Sequence, residues 1–185
     1  MFALTAIVVE VIGLGAQQRV KLSELVTRGS DPVQYLHPRT FNPYTGPVVE
    51  LYDSSQVVET WGMLRNGTWD GPFESYYMSG QLRSQFTHKD GVEEGPYELY
   101  YRDGQLKERG SFRGGRVDGL FESYHPNGRL WEKGYYEDEE VDGPFEAYDE
   151  EGRLQFKGEA RKGNRCGEWT EYGQRQSYPP CPGSR

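Results

Sequence analysis

Long hydrophobic runs are scarce in this sequence. Only 35% of the 185 residues are hydrophobic and the mean hydropathy is -0.86, which is too little apolar material for one round core at this length. Positive charge is also short: 21 lysines and arginines stand against 29 acidic residues, for a net charge of -8. Such a chain is repelled by nucleic-acid phosphates and by an anionic bilayer, so nucleic acid is excluded as a partner and a membrane surface is disfavoured. Three histidines, His37, His88 and His125, lie far apart with no cysteine or carboxylate at ligand spacing, which removes the basis for a zinc site. Helical periodicity is missing from every long window between turns. Aromatics and glycine, by contrast, are abundant. Phe, Trp and Tyr make up 14% of the residues and there are 24 glycines, a composition foreign to disorder and suited to strands and turns.

The one apolar stretch, "MFALTAIVVEVIGLGAQQ" at the N-terminus, is too short to span a bilayer and is interrupted by Glu10. It is expected to act as a signal sequence over residues 1–17, with Phe2 to Val9 as the apolar region and Gly13, Gly15 and Ala16 before the cleavage point, although no lysine or arginine precedes it. That reading places the protein in the periplasm or outside the cell. A strand or helix packed on the rest of the chain, in a cytoplasmic protein, is the alternative.

What is present in quantity is repetition. "GPFESYYMSGQL" begins at Gly71, "GPYELYYRDGQL" at Gly95, "GLFESYHPNGRL" at Gly119 and "GPFEAYDEEGRL" at Gly143, and an eroded copy, "GEWTEYGQRQSY", opens at Gly167. The interval is 24 residues each time, and a weaker copy begins at Gly46. A fixed period of this size marks an array of supersecondary units.

Each unit reads as two strands and two turns. Ser79-Gly80, Asp103-Gly104, Asn127-Gly128 and Glu151-Gly152 mark the first turn; Asn66-Gly67, Asp90-Gly91, Gly114-Gly115 and Lys162-Gly163 mark the second. Alternation puts Phe73, Tyr97, Phe121, Phe145 and Trp169 on one face, followed by Ser75, Leu99, Ser123 and Ala147. Glu74, Glu98, Glu122 and Glu146 fall on the other face, followed by a row of Tyr76, Tyr100, Tyr124, Tyr148 and Tyr172. A hairpin loop of about four residues sets Tyr97 opposite Gly110, Phe121 opposite Gly134 and Phe145 opposite Gly158, so that each ring covers a strand glycine. The same register sets Glu98 across from Arg109, Glu122 from Lys133 and Glu146 from Lys157; a shift by two residues would preserve both faces and stays open.

These units resemble the MORN repeat, in the variant form found in many bacterial proteins, some of them labelled antitoxins of toxin–antitoxin systems. The resemblance covers residues 46 to about 172 and rests on "G-x-[FYW]-E-x-Y…[DN]-G-x-L-x-x-x-G-x-[FY]…G-x-x-[DE]-G". Departures occur at Ser54-Ser55, Phe86 and Glu139, each in place of glycine. The resemblance implies an all-β fold, an extended, twisted antiparallel meander of hairpins in a single layer, with residues 18–45 as an N-terminal cap and 173–185 as a tail. It implies a noncatalytic scaffold for protein–protein interaction, with no cofactor, and as an alternative a cytosolic antitoxin-like protein that binds and neutralises a toxin.

Candidate sites follow from the rows. The four glutamates sit in equivalent surroundings, whereas a catalytic carboxylate pair needs divergent ones, so no catalytic residue is expected. The cluster "YYEDEEVD" from Tyr135 lacks the glycine-pinned ligand spacing of a calcium loop, and Asn66-Gly67-Thr68 reads as a turn before it reads as a glycosylation site. The tyrosine row, with Arg83 and Lys107 stacked on its first two rings, is the candidate binding stripe; rings that simply shield the backbone of a thin sheet are the alternative. Cys166 and Cys181 would close the tail over the open sheet edge in an oxidising compartment and stay thiols in a reducing one. The face assignment also expects Phe121→Ala to cost about 3 kcal/mol or more and Glu122→Ala under about 1 kcal/mol.

Overall fold

Two-residue turns with positive φ at both positions leave the chain little choice but to double back. Asn66-Gly67, Asp90-Gly91, Gly114-Gly115 and Lys162-Gly163 all adopt this geometry, whose twist matches that of the strands it joins. The computed structural model describes residues 20–29, 33–53 and 55–183; the expected signal sequence, and Ser54 among the departures, lie outside them. The strands Gly46–Leu51, Val58–Arg65, Thr68–Tyr76, Leu82–Lys89, Gly95–Tyr100, Leu106–Arg113, Gly119–Tyr124, Leu130–Glu137, Glu140–Tyr148, Leu154–Arg161, Asn164–Glu171 and Gln174–Ser177 follow one another in space as in sequence. With three short pieces they form a sheet of fifteen strands, antiparallel except for Val20–Lys21, which runs parallel to Gly46–Leu51. The fold is the all-β meander that the repeats imply.

The expected register holds. Tyr97 pairs with Gly110, Phe121 with Gly134 and Phe145 with Gly158, while Glu98, Glu122 and Glu146 pair with Arg109, Lys133 and Lys157. Two details differ. The loop between Tyr76 and its partner Leu82 holds five residues, and a one-residue bulge follows it in each of the five repeating hairpins, at Glu59, Arg83, Lys107, Trp131 and Gln155. The ring covering a strand glycine also comes from the next strand in two of three cases: a Cβ on Gly134 would meet Phe145 at 3.0 Å and one on Gly158 would meet Trp169 at 2.3 Å, whereas Gly110 is covered by its own partner, Tyr97, at 2.9 Å. Where Phe86 replaces the glycine, it stacks on Phe73 with centroids 5.6 Å apart.

A single-layer sheet has no second sheet against which to bury a face. The most enclosed apolar cluster among the described residues lies at the N-terminal end, where Leu25, Val48 and Leu64 are buried with Val20, Leu22, Tyr35, Tyr44 and Trp69 around them. A small second sheet, Val26–Arg28 with Gln34–Leu36, belongs to this cap. At the other end Cys166 and Cys181 form a disulfide, and the tail is tied back by Gly167 N–H to the Pro179 carbonyl at 2.9 Å and Tyr178 N–H to the Gly167 carbonyl at 2.9 Å.

Successive units are joined at both ends of the hairpins. At the second turns, the N–H of Gly67, Gly91, Gly115, Glu139 and Gly163 donates to the carbonyl of Tyr44, Trp69, Glu93, Val117 and Val141 of the preceding segment, at 2.7 to 3.0 Å. Acidic residues that precede the unit glycines reinforce this: Asp70 accepts from Asp90 N–H at 3.2 Å, Glu94 from Gly114 N–H at 2.8 Å and Asp142 from Lys162 N–H at 3.2 Å. At the first turns, the hydroxyls of Tyr52, Tyr77 and Tyr101 donate to the carbonyls of Tyr76, Tyr100 and Tyr124 at 2.6 to 2.7 Å, and the His125 ring nitrogen bonds the Tyr148 carbonyl at 2.9 Å. Each bond thus reaches from one repeat to the same place in the next.

Glu139 shows how strongly the turn geometry is imposed. It replaces the turn glycine yet sits at φ 71° beside Asp138 at φ 52°, and still donates to Val117 at 2.9 Å. A side chain there carries a steric cost that glycine avoids. Glu139→Gly should therefore stabilise the protein by about 0.5–1 kcal/mol, seen as a higher denaturant midpoint with an unchanged slope; a lower midpoint would show that the carboxylate contributes more than the turn strain removes.

Candidate binding faces of the sheet

Strand alternation and the common register draw one continuous row across the sheet. From Val49 it runs through Trp61, Glu74, Gln85, Glu98, Arg109, Glu122, Lys133, Glu146, Lys157 and Thr170 to Arg175, each residue the register partner of the next. From Arg109 to Lys157 the charges alternate. Arg109 reaches Glu122 at 2.5 Å, Lys133 reaches the other oxygen of Glu122 at 2.9 Å, and Lys157 reaches Glu146 at 3.2 Å. Cross-strand pairs of opposite charge support a sheet; here they form a chain of pairs in place of a hydrophobic layer.

The tyrosine row lies beside this ladder. Tyr76, Tyr100 and Tyr124 donate their hydroxyls to Glu74, Glu98 and Glu122 of the same strand, the last at 3.0 Å. All four central tyrosines are half-buried. Burial, and next the bond to Glu98, pushes the Tyr100 phenol up to about 12; burial and then the bond to Glu122 raise the Tyr124 phenol, and burial and then the charge of Glu146 raise that of Tyr148. The central rings are therefore held by bonds at hydroxyl and carbonyl alike. Tyr172 stands apart: Tyr172-Gly173 makes a tight turn between Asn164–Glu171 and Gln174–Ser177, which leaves its ring 69% exposed and edge-on to Phe156 at 4.9 Å. Nor do Arg83 and Lys107 stack on the row. Both occupy bulges, and Arg83 Nε donates instead to Ser75 Oγ at 3.1 Å; among the described residues the cation–π contacts are Arg102 over Tyr77 at 5.6 Å and Arg165 over Phe156, Trp169 and Tyr178.

The glutamate row corrects one expectation. Glu122 is 6% exposed and Phe121 is only half-buried, because the rings of a single layer stay partly open while the carboxylate is enclosed by Arg109, Lys133 and Tyr124. Burial alone pushes the Glu122 carboxyl up, but the bonds from those three donors outweigh it and hold it below the usual range. Truncating it strands a guanidinium, an ammonium and a phenol.

The opposite face carries the rings and a second row, in which Ser123 lies between Glu108 and Glu132. Tyr97 donates to Glu108 at 2.7 Å and Tyr136 to Glu132 at 3.0 Å. Burial and then the charge of Glu108 raise the Glu132 carboxyl. Ser75 and Ser84 bond each other at a buried position of the same row. His88 sits among Trp69, Phe73 and Phe86, its imidazole held below its usual value by burial. No set of three or more His, Cys, Asp or Glu side chains among the described residues is arranged to hold a metal.

Each face carries an open depression: Phe73, Ser75, Ser84, Phe86 and Leu99 line one of about 380 Å³ on the ring face, and the other lies on the glutamate face. Pro72, Pro96, Leu120 and Pro144, one residue after successive unit glycines, are all exposed, and together with Glu74, Gln85, Thr87, Glu98, Arg109 and Glu122 the first three line a depression of about 420 Å³. This apolar row was overlooked in the sequence, although its spacing is as regular as that of the glutamates.

Residues 69–90, 93–113 and 117–138 match a known family of repeats, the MORN repeat variant. The matched segments are three successive hairpins, and the hairpins on either side repeat their pairing and bulges. Repeats of this kind commonly serve protein or membrane interaction and are generally non-catalytic scaffolds. No curated protein matches the chain. No helix among the described residues is long and apolar enough to cross a membrane.

Because the Glu122 carboxyl is held below its unfolded value, it adds stability that is full above the ordinary carboxylate value of 4.5 and is lost as pH falls through the depressed one. Glu122→Gln should lower stability at pH 7 by about 1–3 kcal/mol and converge with the wild type as the pH drops below that value. Parallel stability curves for the two proteins across that range would rule out the ladder as the source.

Proposed function

We propose that this chain is a repeat scaffold that binds a protein partner across its glutamate face. The observation that carries the reading is the exposed apolar row Pro72, Pro96, Leu120 and Pro144 beside a charge ladder and a row of half-buried tyrosines. Aromatic and apolar groups rimmed by fixed charge suit a protein interface. Since the tyrosine hydroxyls are engaged by Glu74, Glu98 and Glu122, their rings would offer contact area at low entropic cost and the apolar row would supply the anchors. An exported location is part of the proposal. The Cys166–Cys181 disulfide suits an oxidising compartment, and alkylation of the untreated protein from its host should then leave both cysteines unmodified; a labelled cysteine places the protein in a reducing one.

Leu120 is the point to test, because it is exposed and its replacement leaves the ladder intact. Leu120→Glu should lower the yield of partners retained from the native host by about tenfold with little change in Tm, while Met78→Glu, in an exposed first turn, should retain them. Equal retention by both variants would remove the glutamate face as the interface.

A further inference from the structure

The ladder has one step without its cation. Arg109, Lys133 and Lys157 occupy the second-strand position in three units, and in the unit that begins at Gly71 the same position is Gln85. Gln85 lies between Glu74 on one side and Glu98 on the other. Its amide donates to Glu98 at 2.5 Å, the hydroxyls of Tyr76 and Tyr100 donate to Glu74 and Glu98, and all of these donors are neutral. Arg109, the register partner of both Glu98 and Glu122, gives its guanidinium to Glu122 at 2.5 Å. Among the described residues Glu74 and Glu98 take part in no ion pair, whereas Glu122 has two and Glu146 one. Two carboxylates thus face one depression across a neutral amide.

The surroundings say what would fit there. The depression that holds Glu74, Gln85 and Glu98 is walled by Pro72, Pro96, Thr87 and Leu120, with Arg109 and Glu122 on the same lining, so its carboxylates outnumber its one cation and its rim is largely apolar. Resting on the interaction reading above, we propose that this step binds a lysine or arginine side chain of an extended partner segment, with that segment's neighbouring apolar residues lying on Pro72, Pro96 and Leu120. The guest cation does for Glu74 and Glu98 what Arg109 and Lys133 do for Glu122. A free ammonium or guanidinium ion has the charge but none of the apolar contact, and an apolar peptide has no partner for the two carboxylates, so each alone binds more weakly.

The probe is a capped, fluorescent pentapeptide with a central arginine flanked by leucines, compared by anisotropy with a twin carrying neutral citrulline at the centre. Wild-type protein should bind the arginine peptide at least about tenfold more tightly than its twin. Gln85→Lys supplies the cation from within, and should weaken arginine-peptide binding by at least about tenfold while leaving the twin unaffected. Gln176→Lys adds the same charge at an exposed position on the last strand and should change neither. Three results would each overturn the proposal: no binding by the wild type, equal binding of the two peptides, or equal loss in both lysine variants. If Leu120→Glu, but not Met78→Glu, still lowers the capture of native partners in that event, the interface reading stands and only the basic-residue assignment falls.

Discussion

Everything in this structure depends on bonds between one repeat and the next. A layer one sheet thick cannot hide its apolar side chains from water, and the fully enclosed apolar residues are few and gathered mainly at the ends. What holds the middle is periodic. Each second turn donates a backbone N–H to the strand pair before it, and from the Gly46 unit to the Gly119 unit a Tyr or His ring bonds a carbonyl of the unit that follows. Both connections repeat because the sequence repeats, and together they make neighbouring hairpins a coupled stack.

The charge ladder is a consequence of that stacking. Once the register is common to all units, residues at one position become neighbours across the whole sheet, and a glutamate repeated at that position would repel its copies unless cations alternate with it. The chain supplies them at Arg109, Lys133 and Lys157 and leaves Gln85 neutral. On the proposed reading, structure and recognition share one row: its ion pairs stabilise the sheet, and its unpaired carboxylates Glu74 and Glu98 lie beside Arg109 and Glu122 in the open depression. The same sharing explains the tyrosines, whose hydroxyls satisfy the glutamates while their rings lie half-exposed beside them.

Much of this was legible in the sequence, for a definite reason. The period, the turn glycines and two independent cross-strand patterns point to one register; alternation alone leaves a shift by two residues open, and the observed pairing decides it. Local chemistry near the turns was less visible. The bulge at Arg83 and Lys107, which turns those cations away from the tyrosine row, leaves no mark in a pattern of alternation. The tight turn at Tyr172-Gly173, which removes Tyr172 from the row, was signalled by a glycine one residue after the tyrosine where other units have it four residues after. The burial of Glu122 was hidden because alternation tells which face a residue is on and not which face its neighbours enclose. Bonds 22 to 24 residues apart, such as Tyr77 to the Tyr100 carbonyl or Gly91 N–H to the Trp69 carbonyl, emerge only when the stack is assembled.

Amide hydrogen exchange at the second turns tests the coupling most directly. The N–H groups of Gly91, Gly115, Glu139 and Gly163 occupy turn positions that in an isolated hairpin face water, yet here each donates to a carbonyl of the preceding unit at 2.8 to 3.0 Å. The account predicts protection of these four amides comparable to that of the central strands, with opening free energies close to the global value. Fast exchange at all four, with the strand amides still protected, would contradict it and reduce the array to hairpins held by strand pairing alone.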